Sequence, residues 1–210
     1  MKKQKDIFLE VEGDAWFRRN QCALSTIDWS KDPVCRRVSD ISNGTSLSIL
    51  EIGCGDGSRL AELAIRGHKV EGIDPSLAAV ARARARGVTA TQATADSLPF
   101  DNLKFELVIF GFCLYLCDDV DLFRIGSEAD RVLSANGWLL ILDFESAAPN
   151  YLPYRHSPGV QSRKMDYKRM FLWHPAYTLA SYEKFDHMTR AWTDDPSEWV
   201  GCTCLRKYTS

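Results

Sequence analysis

The chain has 210 residues, 45% of them hydrophobic and 26% charged, with a net charge of −2 at pH 7. This length and apolar content are enough for one α/β domain with a buried core, and the near-neutral charge does not favour nucleic-acid or membrane-surface binding. The seven cysteines form no C-x-x-C pair, and no window reaches the roughly 18 apolar residues of a membrane span. We therefore expect reduced thiols, no metal site, no signal peptide and a cytoplasmic location.

The first 46 residues precede the first confident strand and are predicted to form a helical cap. A short amphipathic helix is expected from about Asp14, which is a suitable N-cap, and it carries Trp16 and Phe17. A second helix is expected over residues 32–41, with Pro33 in its first turn. In the plainer interpretation, these helices cover one edge of a sheet.

Residues 47–58, LSILEIGCGDGS, indicate a buried strand that runs into a glycine-rich turn. Glycines in such a turn let the backbone bend sharply and approach a ligand closely. Ser58 is predicted to cap the next helix, over residues 59–66. A dinucleotide fold would place a third glycine of G-x-G-x-x-G at Ser58, and Glu51 is a poor neighbour for a pyrophosphate but a good one for an ammonium group.

Two acidic residues follow at the ends of the next predicted strands. A strand over residues 68–73 ends at Asp74-Pro75, and a carboxylate there can accept hydrogen bonds from both hydroxyls of a ribose. A helix over residues 77–86 leads to a short strand at 88–92. The loop ATADSLPF then places Asp96 and Ser97 beyond that strand.

The sequence E-x-G-x-G-x-G after an apolar strand resembles motif I of the class I S-adenosylmethionine-dependent methyltransferases. The resemblance covers about residues 47–144 and is similar to the small-molecule branch typified by quinone-biosynthesis methyltransferases. It departs from that branch after Gly111, where a histidine pair is common and this chain has Phe112-Cys113-Leu114-Tyr115.

The resemblance implies a fold, a cofactor and a set of binding residues. The fold would be α/β and Rossmann-like: a doubly wound, mostly parallel seven-stranded sheet with helices on both faces and a C-terminal antiparallel hairpin. The cofactor would be S-adenosyl-L-methionine, with Asp74 on the ribose, Asp96 on the adenine 6-amino group and the Ser97 N–H on the ring. The leading helices could form a lid through Trp16 and Phe17. The predicted cofactor-binding residues are Glu51, Gly53, Cys54, Gly55, Gly57, Asp74, Pro75, Asp96, Ser97 and Phe112.

The remaining elements complete a single predicted domain, divided into a cap (1–46), a cofactor-binding core (47–144) and a substrate side (145–210). Strands are predicted at 106–112 and 138–144, separated by a helix at about 119–134. Residues 145–176 indicate a long connection, functional or partly disordered, or a surface loop with a short helix near 164–172. Two closing strands are expected at 177–187 and 199–208.

The acceptor side is defined less sharply by the sequence. Phe112 ends the predicted fourth strand, and Cys113 and Tyr115 follow it, at the edge where ligands bind in doubly wound sheets; each of the three could line the reaction site or serve simple packing. A hydroxyl acceptor needs a general base, for which His156 is the first choice, while Tyr115 would position the acceptor. The predicted function is methyl transfer to a small molecule. An oxidoreductase using NAD, or a non-catalytic module with this fold, are the alternatives, and the oligomeric state stays open.

Overall fold

The computed structural model describes residues 2–208, and a seven-stranded sheet lies at its centre. The strands of this sheet are β1 (Ser48–Ile52), β2 (Lys69–Asp74), β3 (Thr89–Gln92), β4 (Phe105–Gly111), β5 (Leu133–Phe144), β8 (Tyr177–Asp186) and β9 (Trp199–Lys207). Their order is β3-β2-β1-β4-β5-β9-β8. A separate two-stranded hairpin pairs β6 (Asn150–Pro153) with β7 (Gln161–Lys164).

Strands β1 to β5 run parallel to one another, while β9 is antiparallel to both of its neighbours, β5 and β8. The strand order therefore reverses between β1 and β4. This topology confirms the predicted doubly wound α/β fold with a closing antiparallel pair. The carboxyl ends of β1, β2, β4, β5 and β8 share one edge of the sheet, and this is where ligands bind in such folds.

Helices cover both faces of the sheet. Their bounds are α1 (Gln4–Ile7), α2 (Gly13–Ser25), α3 (Pro33–Ser42), α4 (Ser58–Ile65), α5 (Leu77–Ala85), α6 (Leu122–Val132) and α7 (Arg169–Leu172). Alternate side chains of β1 enter different core layers: Ile49 packs with α3, α4 and α5, whereas Leu50 packs with α6 and α7. This alternation follows from the two-residue period of a strand, and it explains why β1 is apolar on both faces.

The N-terminal helical region begins earlier than the sequence predicted. Helix α1 starts at Gln4 and continues through a π-helical segment, Phe8–Glu12, into α2, so the start at Asp14 was wrong. Asp14 instead accepts hydrogen bonds from Ser76 Oγ at 2.6 Å and Ala78 N at 3.0 Å, and thereby caps α5. Tertiary partners stabilise residues 4–12, where local propensity gave little signal.

Other boundary predictions also need correction, and β5 begins at Leu133 rather than at residue 138. Ser58 does not cap α4: Gly57 is the N-cap residue, and Asp56 Oδ1 accepts from the Ser58 N–H and hydroxyl at 3.2 and 2.7 Å. Strand β4 ends at Gly111, because Phe112 has a left-handed φ of 54°. The long connection predicted over 145–176 contains the β6–β7 hairpin as well as the short helix α7.

Within residues 2–208, none of the helices has both the length and the apolar character that crossing a membrane would require.

Candidate functional site

The glycine turn after β1 is fastened to the end of β2. Gly53, Gly55 and Gly57 have φ values of 79°, 53° and 71°, a region that residues with a Cβ rarely adopt. The N–H groups of Gly53 and Cys54 both donate to Ile73 O at 2.9 Å. The turn is therefore held open by main-chain hydrogen bonds, with its backbone exposed to the carboxyl edge of the sheet.

Asp74 organises the same turn from the end of β2. Its Oδ2 accepts from Gly55 N, and its Oδ1 accepts from Ser76 N, each at 2.9 Å. Burial raises the pKa of Asp74 to about 6, although the two N–H groups favour the charged form. The carboxylate is thus fixed in orientation, and each oxygen keeps a further lone pair for a ligand donor.

A buried charge network lies beneath the turn. Glu51, which is 1% exposed, pairs with Arg59 of α4, and Arg59 in turn donates to Asp32 through Nε at 3.1 Å and Nη2 at 3.3 Å. The Arg59 guanidinium also stacks on Trp29, 5.2 Å from the ring centroid. Among the described side chains, Glu51 Oε2 has no hydrogen-bond partner. Burial raises the pKa of Glu51, while Arg59 opposes that rise. No local pattern in the sequence indicates this role of Arg59, because Asp32 is 27 residues away in the chain.

Asp96 lies on the opposite side of the site, where its carboxylate binds Lys5 of the N-terminal helix α1. The carboxylate is 3% exposed, accepts from Thr94 Oγ1 at 2.8 Å, and forms an ion pair with Lys5. Hydrogen bonds to Lys5 and Thr94 keep the pKa of Asp96 below its usual value, against the effect of burial. Lys5 was not predicted, because its partner lies 91 residues away in the chain.

Two further residues, Lys3 and Gln4, anchor α1 beside Asp96. Lys3 pairs with Asp121 at 2.7 Å, and Gln4 is 3% exposed. The Gln4 backbone N–H donates to Asp118 Oδ2 at 2.8 Å, and its side chain exchanges hydrogen bonds with the Gln161 backbone of β7 at 2.6 and 3.2 Å. Helix α1 therefore spans the opening between the β3–β4 side and the β6–β7 hairpin.

A cavity of about 190 Å³ opens at this edge of the sheet. Its lining includes eight of the ten residues predicted for cofactor binding: Glu51, Gly53, Cys54, Gly55, Asp74, Pro75, Asp96 and Phe112. Trp16 also lines it, whereas Phe17 is buried in the α2 packing at 7% exposure. Most of the predicted cofactor-binding residues thus surround one cavity, which residues of α1 and α2 cover.

The other two predicted cofactor residues lie outside the cavity lining. A Cβ at Gly57 would come within 2.8 Å of Ala83 Cβ, so this glycine lets α4 and α5 pack closely. Ser97 is exposed, and its backbone N–H already donates to Thr94 O at 3.1 Å.

The two predicted acceptor-side residues occupy different environments. Tyr115 is 9% exposed, and burial raises its pKa. Its ring packs against Phe144 with centroids 4.9 Å apart. His156 lies exposed in the β6–β7 turn, where it accepts from Arg155 Nε at 3.0 Å and contacts Tyr154. Neither residue is among those that line the cavity: Tyr115 packs in an aromatic cluster with Phe144, and His156 lies on the surface of the β6–β7 turn.

Comparison with known proteins agrees with this geometry. The family model described as "Methyltransferase domain" matches residues 49–137. A protein of Synechocystis sp. named "uncharacterized methyltransferase" is 34% identical over 97 residues, which cover 45% of this chain and 46% of the relative. In three mycobacterial relatives, the matched region covers 30% of the relative's length. In all four of these curated relatives, the similarity therefore covers less than half of the relative.

Solved structures show the same fold. The N-methyltransferase NodS of Bradyrhizobium japonicum, in complex with S-adenosyl-L-homocysteine, aligns with a TM-score of 0.67 at 16% identity, covering 97% of this chain and 96% of NodS. A Burkholderia thailandensis 1,6-didemethyltoxoflavin N1-methyltransferase, with its substrate and S-adenosylhomocysteine bound, aligns with a TM-score of 0.64 at 18% identity, covering 93% and 89%. The match of residues 49–137 to the methyltransferase domain model and the shared fold show that this chain is similar to S-adenosylmethionine-dependent methyltransferases.

Proposed function

We propose that the chain is an S-adenosyl-L-methionine-dependent methyltransferase that acts on a small-molecule acceptor. The observation that carries this proposal is the convergence of a left-handed glycine turn with two oriented carboxylates, Asp74 and Asp96, on one cavity. Separate carboxylates suit the separate donor groups of an adenosyl ligand, namely the ribose hydroxyls and the adenine amino group.

The charge of the cavity fits a sulfonium cofactor better than a dinucleotide. Glu51 Oε2 is a buried acceptor without a partner among the described residues, and it lies under the glycine turn. A buried unpaired oxygen is costly, so a cationic donor nearby would stabilise the site, whereas a pyrophosphate would be repelled. A dinucleotide fold needs a third glycine where this chain has Ser58, and this difference also disfavours a dinucleotide.

The proposed binding roles follow from these positions. Asp74 would accept hydrogen bonds from the ribose hydroxyls, and Asp96 would accept one from the adenine 6-amino group. The amino group would either share the Asp96 carboxylate with Lys5 or displace Lys5 from it. Ser97 stays a prediction for the ring contact. The remaining wall residues would be Gly53, Cys54, Gly55, Pro75 and Phe112, with Gly57 acting through helix packing.

When bound, the cofactor would supply an activated methyl group, so the chain's main task is to orient the acceptor and exclude water. Trp16, Phe8 and Leu24 cover the cavity from the N-terminal helices. Tyr115 is proposed to position the acceptor, because packing against Phe144 fixes its ring. Residues 1–46 would thus serve as a cap, 47–144 as the cofactor core and 145–210 as the substrate side.

His156 stays our predicted general base for a hydroxyl acceptor, since a neutral imidazole can remove a proton near pH 7. Replacing His156 with alanine is then expected to lower the methylation rate about 100-fold, without changing cofactor affinity. The control is His174→Ala, because His174 contacts Trp173 and Tyr177 at the end of α7. A His156→Ala enzyme with the wild-type rate and pH profile would contradict this role.

The small-molecule acceptor is tested by tracing an isotopically labelled methyl group. The protein is incubated with labelled S-adenosylmethionine and a cell extract, and the products are separated into small molecules, protein and nucleic acid for mass spectrometry. We expect label in a low-molecular-weight product. Label that appears only in the macromolecular fractions would overturn the acceptor class, and the absence of any transfer would favour the non-catalytic alternative.

The seven free cysteines support the cytoplasmic location that we also propose.

A further inference from the structure

Three rings from separate parts of the chain form one wall at the carboxyl edge of β4, β5 and β8. Phe112 follows β4, Phe144 ends β5 and His187 follows β8. The Phe112 and Phe144 centroids are 5.3 Å apart, and the His187 ring lies 5.8 and 4.8 Å from them. Because Phe112 also lines the cofactor cavity, this aromatic wall is continuous with it.

The backbone is strained where this wall is built. Phe112 has a φ of 54° and Arg190 a φ of 60°, although neither is glycine. The Arg190 guanidinium lies 5.9 Å from the Phe112 ring centroid, so the two strained residues are in contact. A positive φ is unfavourable for a bulky residue, and such strain concentrates at ligand sites.

Two cations border the aromatic wall without an acidic partner. Lys164 Nζ lies 5.0 Å from the Phe144 centroid, and its hydrogen bond goes to a backbone oxygen, Ser197 O, at 2.6 Å. Within residues 2–208, no carboxylate oxygen approaches the charged nitrogens of Lys164 or Arg190 within 4.0 Å. By contrast, Lys168, which stacks on Tyr182, also pairs with Glu145 at 3.2 Å and Asp166 at 2.7 Å.

Burial and the nearby cations favour the neutral form of the His187 imidazole. Burial lowers the pKa of His187, and the nearby charges of Arg190 and Lys164 lower it further. Glu198 and Asp186 oppose this effect from the flanking loop and the end of β8. The wall therefore combines two phenyl rings, an imidazole in which burial favours the neutral form, and two positive charges, beside a cavity that Phe112 lines.

We propose that this wall is the acceptor subsite and that it takes a planar aromatic or heteroaromatic anion, with its ring on Phe112, Phe144 and His187 and its carboxylate near Arg190 and Lys164. This inference rests on the proposed function for the identity of the reaction. Flat faces select flat ligands through offset or edge-on ring contacts, and the unpaired cations select negative charge.

The test uses benzoate as a probe, titrated by ligand-observed NMR into the full-length protein saturated with S-adenosylhomocysteine. Cyclohexanecarboxylate keeps the charge without the flat ring, and benzyl alcohol keeps the ring without the charge. We expect benzoate to bind at least about fivefold more tightly than either, since each missing interaction corresponds to a contribution of this size at a partly exposed site.

Matched variants connect the probe to the wall. Arg190→Gln, Lys164→Gln and Phe144→Leu are each expected to weaken benzoate binding about threefold to fivefold. Arg206→Gln is the control, because Arg206 stacks on Trp138 at 4.3 Å at the far end of β5 and should leave the probe affinity unchanged.

The outcomes separate this inference from the proposed function. Failure of S-adenosylhomocysteine to bind would contradict the proposed function itself. Normal binding of S-adenosylhomocysteine, with equal affinity for benzoate and cyclohexanecarboxylate or no binding of benzoate, would overturn the aromatic-anion subsite. Equal weakening by Arg190→Gln and Arg206→Gln would also overturn it, because the effect would then be a general one of net charge.

Discussion

Replacing Arg59 with leucine is expected to lower the free energy of unfolding by about 3–5 kcal/mol at pH 7. The substitution leaves Glu51 and Asp32, which are 1% and 6% exposed, without their shared cation. A buried carboxylate without a counter-charge must either remain ionised in a poorly solvating interior or take up a proton. Chemical denaturation monitored by circular dichroism measures the change.

The control for this variant is Arg36→Leu. The Arg36 side chain is 62% exposed and lies 3.6 Å from Glu183, so its loss should change the free energy of unfolding by less than about 1 kcal/mol. The sign of the pH dependence provides a second check. Burial raises the folded-state pKa of Glu51, so the penalty in Arg59→Leu is largest when the unfolded carboxyl is ionised and shrinks as the pH falls from 7. A loss below 1 kcal/mol for Arg59→Leu would contradict the charge network.

Replacing Asp74 with asparagine is expected to weaken binding of S-adenosylhomocysteine about 10- to 100-fold, equivalent to one or two charge-assisted hydrogen bonds. The amide keeps the size of the carboxylate but offers only one acceptor oxygen where Gly55 N, Ser76 N and a ribose all donate. Calorimetric titration measures the change. Glu71→Gln is the control, since Glu71 lies on the same strand and pairs with Lys104 at 2.6 Å.

The pH dependence of binding identifies the same group. Because the pKa of Asp74 is raised to about 6, the carboxylate that accepts ribose hydrogen bonds is lost as the pH falls through 6. Wild-type affinity should therefore decline between pH 7 and pH 5, while the affinity of Asp74→Asn stays comparatively flat. Equal affinities for the wild-type and Asp74→Asn proteins across this range would rule out the ribose role.

The parts of the fold that follow from local pattern were predictable. Strands such as β1 are read from continuous apolar runs, and turns such as Asn43-Gly44 from residues that tolerate positive φ; Asn43 has a φ of 45° and Gly44 a φ of 81°. The order of glycine turn and strand-end acids placed Glu51, Asp74 and Asp96 on one cavity, because parallel strands end at the same edge.

The parts that depend on distant partners were not predictable. Helix α1 is stabilised by contacts from Gln4 to Asp118 and Gln161, and Lys5 meets Asp96, all more than 90 residues away. Strand β6 is exposed at all four positions and β7 is polar, so the hairpin has no apolar alternation, and its sequence signal is the pair of turn residues Pro158 and Gly159. The aromatic wall assembles Phe112, Phe144 and His187 from three strand ends, which no sequence spacing reveals.

The cavity is proposed to be the binding site of an adenosyl cofactor. Isothermal titration of the wild-type protein with S-adenosylhomocysteine, and separately with NAD, tests it most directly. We predict saturable binding of S-adenosylhomocysteine at one site per chain and at least about 100-fold weaker binding of NAD, because the site offers carboxylates where a pyrophosphate needs free N–H groups at a helix terminus. Saturable binding of NAD with no heat from S-adenosylhomocysteine would contradict the account.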